Sequence, residues 1–426
     1  MIKNNENSMR KIIFKQADSE EELLQIADLA SKTFSRRSYF DFFEKIRRYQ
    51  KEDFYFKPEF CFIAKENGKV VSHISITVRE VKIGGSVVRL AGISDVCTDK
   101  DYRGLGLSKQ LMLNAIDYMK KNGFAFSLLY GIPNYYHKFG YIESIPESYF
   151  MISRDNILEP EQVDISKYEL NIGFDFSLLE DVKRLYQKQY LKCNGIALRP
   201  DKNFFYLSLI NNHFYYLRDK ERGNIVGYFY AWDEYSASFI IKELAVLNES
   251  LNSILLSYIK QLAQKYKVYD IKFYIHLDNP YCDFLKDIGA ESRSEYRFIG
   301  QGGAMTRIID MKILFEELKN ELKNRIINSQ FLNKNFTVKI NNIDDKKNIF
   351  LNYMDGELNI LESAKNFDVE INIDNRFFSR VIIGYWNFEK FYKLSGIEND
   401  LDIKAIELLN KIFPEFNFYL LKTDYF

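Results

Sequence analysis

The spacing of apolar residues changes period twice between residues 60 and 130, and few folds accommodate that change. Phe60–Lys65, Val70–Val81 and Val87–Thr98 are rich in β-branched and aromatic residues and read as strands. Glu66-Asn67-Gly68-Lys69 and Gly84-Gly85 supply the turns between them, so the three form an antiparallel meander. A polar loop, Asp99–Gly106, follows. Leu107–Lys121 then places Leu107, Leu111, Met112, Ala115, Ile116 and Met119 on one helical face. Lys120-Lys121-Asn122-Gly123 stops that helix, with cations against its dipole and then Asn-Gly. Phe124–Tyr130 is a buried strand. Residues 10–50 read as a basic, aromatic helical region, with an apolar face over Asp18–Phe34. The order is helix, three strands, loop, helix, strand, which predicts an α+β fold with mixed α/β sheets.

A weaker echo follows. Tyr216–Gly227 repeats the pattern of strand, charged Gly-containing turn and strand seen at Phe62–Ser72. Phe239–Leu247, Ser250–Lys267 and Tyr269–His276 then read as strand, helix and strand, which favours a duplicated domain. After Ala304 the pattern changes. Ile308–Ile326 reads as a charged amphipathic helix. Phe336–Ile343, Asn348–Leu361 and Val369–Ile383 read as three strands, Asn387–Leu394 and Asp402–Phe413 as two helices, and Phe418–Phe426 as a last strand. The 426 residues therefore divide into domains at 1–155, 156–303 and 304–426.

Composition narrows the function classes. Lys+Arg and Asp+Glu are both 59, and this neutrality argues against nucleic acid as the main partner. No apolar run approaches the ~18–20 residues of a membrane span. Residues 1–9 read as a frayed polar leader without a signal peptide's apolar stretch. Cys61, Cys97, Cys193 and Cys282 are scattered, as are His73, His137, His213 and His276, so neither a disulfide framework nor a metal site is expected. A cytoplasmic protein with reduced thiols is the expectation.

The segment richest in chemistry is Val96-Cys97-Thr98-Asp99-Lys100-Asp101-Tyr102-Arg103-Gly104-Leu105-Gly106-Leu107-Ser108. A strand ends, a loop with two glycines follows, and a helix starts. Amides at a helix N-terminus, approached closely through glycine, form an anion cradle, and Arg103 adds a full positive charge. The pattern is neither a Walker loop nor Gly-x-Gly-x-x-Gly. A second segment, Tyr135-Tyr136-His137-Lys138-Phe139-Gly140-Tyr141, follows the fifth strand.

Arg-x-x-Gly-x-small after a strand, here Arg103, Gly106 and Ser108, resembles the acetyl-coenzyme-A loop of the GNAT acyltransferase superfamily, with Ser108 in place of the usual Gly or Ala. Together with Tyr-x-Lys-Phe-Gly-Tyr, the chain resembles the enhanced intracellular survival family of N-acetyltransferases. That resemblance implies an active GNAT domain, a second GNAT domain without the cofactor loop, and a sterol-carrier-protein-like third domain. In the echo, Leu247-Asn248-Glu249-Ser250-Leu251 has neither Arg nor Gly, which fits a silent second copy. The resemblance assigns Val96, Cys97 and Thr98 to the pantetheine arm of acetyl-CoA. It assigns Arg103, Gly104, Leu105, Gly106, Leu107 and Ser108 to the pyrophosphate. Tyr136 would be the general acid and the carboxylate of Phe426 the base, in direct transfer to a primary amine of an aminoglycoside-like small molecule or a lysine side chain. A homo-oligomer is also implied.

Chemistry constrains these roles. A phenol with pKa ~10 is uphill by roughly 2 kcal/mol as a full donor to a thiolate of pKa about 8.5. Tyr136 would then serve as a hydrogen-bond donor, or with a pKa lowered by Arg or a helix dipole. Asp95 is an alternative base, but strand alternation sends Ser94 and Asp95 to opposite faces. His73 is a weak candidate, His137 reads as a surface residue, and Phe34–Phe40 reads as a helix-ending turn that could border the acceptor site. Two other readings stand beside this one: a non-catalytic binding protein built from degenerate domains, and aminoacyl transfer from charged tRNA, which the near-neutral pI of 6.9 disfavours.

Overall fold

The computed structural model describes residues 11–35, 38–158, 164–210, 213–232 and 238–425. The segment 1–9, Arg36, Arg37 and Phe426 lie outside the described residues. The chain falls into two compact units, one of residues up to Val78 with Ala91–Asn122, the other of Arg79–Leu90 with Gly123–Tyr425.

In the first unit the chain runs β1 (Ile13–Gln16), α1 (Glu20–Phe34), α2 (Tyr39–Glu52), β2 (Cys61–Glu66), β3 (Lys69–Ile83), β4 (Ser86–Thr98) and α3 (Leu107–Lys121), the tip of the β3–β4 hairpin belonging to the other unit. Strand order is β1-β2-β3-β4. The basic region read as helical thus opens with a strand. It holds two helices because Ser19 and Ser38 each cap a new start, accepting from the Glu22 and Asp41 amides. Helix α1 lays Leu23, Ile26, Ala27 and Ala30 on Ile63, Val70 and Cys97.

The second unit continues with β5 (Phe126–Gly131), β6 (Ile142–Ile145), β7 (Glu147–Ser153), β8 (Tyr168–Ile172), α4 (Leu179–Tyr190), α5 (Asp201–Ile210), β9 (Phe214–Asp219), β10 (Ile225–Trp232), β11 (Ser238–Val246), α6 (Asn252–Lys265), β12 (Asp270–Phe273), α7 (Tyr281–Asp287), β13 (Glu291–Glu295) and β14 (Gly303–Ile308). One sheet is ordered β13-β7-β12-β11-β10-β9-β8, with β11 and β12 parallel. Its elements from β8 to β12 repeat the chain order of β1 to β5: strand, two helices, three strands, helix, strand. Strand partners cross the expected lines at 155 and 303. Strand β7 pairs with β12 and β13, whereas β14 pairs with β5 and β6.

The remainder comprises α8 (Met311–Ile327), β15 (Phe336–Asn342), β16 (Lys347–Met354), β17 (Glu357–Leu361), β18 (Val369–Ile373), α9 (Asn375–Ile382), α10 (Phe388–Leu394) and α11 (Ile403–Ile412), with a sheet ordered β17-β16-β15-β18. Three readings are corrected here. Residues 348–361 are a hairpin, turned at Asp355 (φ 52°) and Gly356 (φ 82°). Residues 369–383 are a strand and then a helix, because Asp374 accepts from the Phe377 amide at 2.6 Å and starts α9. The stretch from 418 is no strand. It makes one bridge, Phe418 with Asn194, and then turns with the Asp424 amide on the Leu421 carbonyl.

Candidate active site

The junction of β4 and α3 is built by two left-handed glycines. Gly104 has φ 82° and Gly106 φ 75°, and a Cβ at either would meet nothing within 4 Å, so the backbone conformation and not space requires glycine. Gly106 is the N-cap of α3 and offers no side chain to its first amides. Side-chain bonds tie the loop up to that point. Lys69 Nζ lies 2.7 Å from Asp99, Tyr102 donates to Glu66 at 2.5 Å, and the Asp99 side chain accepts from the Asp101 amide. Arg103 is exposed, and its Nε lies 3.4 Å from the Thr98 carbonyl. Leu105 and Gly104 are also exposed, Leu107 is buried in the helix face, and Ser108 is half-buried. Val96 is half-buried on β4. Cys97 is buried, burial raising its thiol pKa far above the usual value, and Thr98 bonds Ser72 at 2.8 Å.

Strand β4 breaks its alternation three residues from its end. Asp95 has φ 51°, a left-handed conformation uncommon for a non-glycine residue. Ser94 Oγ lies 3.1 Å from Thr77 Oγ1, which Tyr49 of α2 also contacts at 3.1 Å. Asp95 senses Lys45 of α2 and acts on Cys61 and Cys97, which pack against α1. Ser94 thus faces α2 through Thr77, and the left-handed backbone at Asp95 interrupts the regular alternation of the strand. Burial pushes the Asp95 carboxyl up to about 6, with Lys45 opposing.

In the second unit, Tyr136 opens a one-turn 3-10 helix, Tyr136–Phe139, ended by left-handed Gly140. Tyr136 is buried, with Tyr135 edge-on at 4.8 Å, and its hydroxyl has no hydrogen-bond partner among the described residues. Burial drives its pKa well above the usual phenol value, with Tyr135 and Tyr141 adding to the rise. Among the described residues no arginine lowers it. His137 is half-buried, and its Nε2 lies 3.1 Å from the buried Glu143. His73 is a core histidine, 2.9 Å from Ser75 and held neutral by burial, its pKa lowered to about 3.

The echo of the loop differs in chemistry. Asn248 is followed by a short 3-10 turn and α6, with no left-handed glycine and with Glu249 where a cation would serve phosphate. Strand β11 also carries an irregularity, with Tyr230 opposite Glu243 and Ala231 opposite Ile241. Glu243, like Asp95, stands three residues before its strand's end. It is locked by Arg199, whose Nη1 and Nη2 reach its oxygens at 2.9 and 2.6 Å and whose Nε and Nη2 reach Asp424 at 2.9 and 2.7 Å. Tyr228 donates to Glu243 at 2.7 Å, and the Arg199 guanidinium stacks 4.2 Å from the Tyr186 ring centre. Sequence reading missed this buried cluster; Arg199 and Asp424 are 225 residues apart and no motif joins them.

Among the described residues no three His, Cys, Asp or Glu side chains gather as a metal site, and no helix is long and apolar enough to cross a membrane. The four cysteines are buried and unpaired.

Residues 16–143 match the model of the acetyltransferase (GNAT) domain family. The uncharacterized N-acetyltransferase YhbS of Escherichia coli K12 is 28% identical over 76 residues, 18% of this chain and 44% of that protein; the chain thus spans less than half the length of this curated relative. Solved structures are similar over nearly the whole length. A probable N-acyltransferase of unknown function from Enterococcus faecalis V583 has a TM-score of 0.73 at 16% identity, covering 98% of this chain and 100% of that one. A GCN5-related N-acetyltransferase from Anabaena variabilis has 0.69 at 16%, and Eis1 of Mycobacterium abscessus 0.65 at 12%, each with the same coverage. At these identities the likeness is one of fold: a mixed α/β, GNAT-like architecture with several sheets.

Proposed function

We propose that this chain is an acetyl-CoA-dependent N-acetyltransferase of the enhanced intracellular survival type, transferring acetyl directly to a primary amine. The carrying observation is the β4–α3 junction, where left-handed Gly104 and Gly106 precede an uncapped helix start inside the segment that matches the acetyltransferase family. In this reading the loop amides from Arg103 to Ser108 receive the pyrophosphate, and Val96 to Thr98 receive the pantetheine arm. The second copy binds no cofactor, and residues 304–426 form the sterol-carrier-protein-like part of a cytoplasmic homo-oligomer.

The amine nitrogen attacks the thioester carbonyl, a C–N bond forms, the C–S bond breaks, and the thiolate leaves, ending as a thiol with the proton that the nitrogen gives up as the amide forms. Tyr136 donates a hydrogen bond to the departing sulfur without surrendering its proton fully, because its phenol is harder to ionise than an ordinary one. The ammonium proton must leave before attack. The Phe426 carboxylate is the base by resemblance. Asp95 is the second group suited to it, since a carboxyl titrating near 6 holds protons closer to neutrality than an ordinary aspartate. Titration calorimetry with acetyl-CoA, followed by a screen of aminoglycosides and lysine peptides with thiol release as readout, tests the reading. Absence of coenzyme binding would refute it.

A further inference from the structure

We propose that His137 and Glu143 are positioning residues that hold the Tyr136 hydroxyl in line for the transfer; this rests on the reading of Tyr136 as the donor to the departing thiolate. The Tyr136 hydroxyl has no hydrogen-bond partner among the described residues, so its aim must come from the turn that carries it. A single 3-10 turn is a weak scaffold, with poor hydrogen-bond geometry of its own. Its far end is held by Arg307, which donates to the Phe139 carbonyl, and by Tyr141, whose hydroxyl lies 2.7 Å from Ser127. Its near end is held by His137.

The anchor for His137 is Glu143 of β6. One carboxylate oxygen, Oε1, accepts from the Gly302 amide at 2.8 Å and the Gly300 amide at 3.1 Å, and lies 3.1 Å from His137 Nε2. A carboxylate oxygen only accepts, so Nε2 carries the hydrogen of that bond. Oε2 is buried without a partner, which leaves Oε1 carrying every side-chain bond of Glu143. The loop that fixes Glu143 is itself fixed. Gly302 has φ 76°, and a Cβ there would meet the Gly131 carbonyl oxygen at 2.3 Å, so only glycine lets this loop lie against the end of β5. The Asn134 backbone amide donates a hydrogen bond to the Gly300 carbonyl at 3.0 Å. His137 therefore ties the turn that carries Tyr136 to Glu143 of β6, which the Gly300 and Gly302 amides hold. A displacement of about 1 Å at a reacting group can cost on the order of a hundredfold in rate.

The test uses the full chain and measures kcat, KM for acetyl-CoA and melting temperature. His137→Ala and His137→Gln are placed in both the natural and the Tyr136→Phe backgrounds. In the natural background, His137→Ala should lower kcat roughly ten- to a hundredfold with KM and melting temperature nearly unchanged. His137→Gln, whose amide donates to Glu143, should restore most of the loss. In the Tyr136→Phe background, His137→Ala should cost nothing further, because its only route to the chemistry is gone. Full turnover in His137→Ala, no rescue by Gln, or additive losses beside Tyr136→Phe would each overturn the proposal. Full turnover in Tyr136→Phe alone would remove the reading of Tyr136 and this proposal with it, a result distinct from additivity.

Discussion

Replacing Asp95 by Asn should make the protein more stable at neutral pH and less active. The carboxylate sits on a left-handed break in β4, is largely removed from water, and has Lys45 as its opposing cation. An ordinary aspartate titrates near 3.8, whereas Asp95 titrates near 6. The folded state therefore holds the proton more tightly than the unfolded state. Stability contributed by this site falls as pH rises from 3.8 to 6; the cost is absent below the lower value and complete above the upper one. That difference corresponds to about 3 kcal/mol, reduced to about 2 because the side chain keeps partial contact with solvent. Asn matches the shape of Asp and tolerates a left-handed backbone, so the substitution removes charge and little else. Guanidinium melts should show a gain of about 2 kcal/mol at pH 7.5, shrinking to about a third of that at pH 4.5. A gain independent of pH would assign the effect to the turn and refute the argument from ionisation. If Asp95 accepts the ammonium proton, kcat falls in the same variant, the stability–activity trade expected of a strained functional position.

Other substitutions separate the remaining parts. Tyr136→Phe should lower kcat on the order of a hundredfold and leave KM for acetyl-CoA almost unchanged, as steady-state kinetics would show; equal turnover would end its role as donor. Arg103→Ala should weaken acetyl-CoA binding in calorimetry while the melting temperature of the free protein stays put, because the side chain is exposed. Arg199→Met leaves Glu243 and Asp424 buried without their cation and should destabilise by about 3–5 kcal/mol in chemical denaturation.

The readability of this sequence followed the range of the interactions that decide each element. Helix α3 and the strands before it were legible because periodicity and local turn chemistry agree there. The hairpin at Asp355-Gly356 carries a readable Asp-Gly signal inside a longer stretch of strand-like residues. Helix α9 hid behind Phe377, Phe378, Val381 and Ile382, residues typical of strands; its Asp374 cap was the local clue. The left-handed Asp95 had none, since a break in alternation depends on what packs beside it. Glu143 was invisible for the same reason, because its ligands, Gly300 and Gly302, lie more than 150 residues away.

The placement of β14 between β5 and β6 has a consequence for synthesis on the ribosome. Strands β5 and β6 leave the exit tunnel about 160 residues before the strand that pairs with both of them. At 5–20 residues per second, this leaves their edges waiting for roughly 10–30 s. Unpaired strand edges recruit other chains. A fragment cut at the end of the matched acetyltransferase segment would carry that vulnerability permanently, so it should aggregate where the whole chain stays monodisperse, and the matched segment would not be separable from the sequence that follows it.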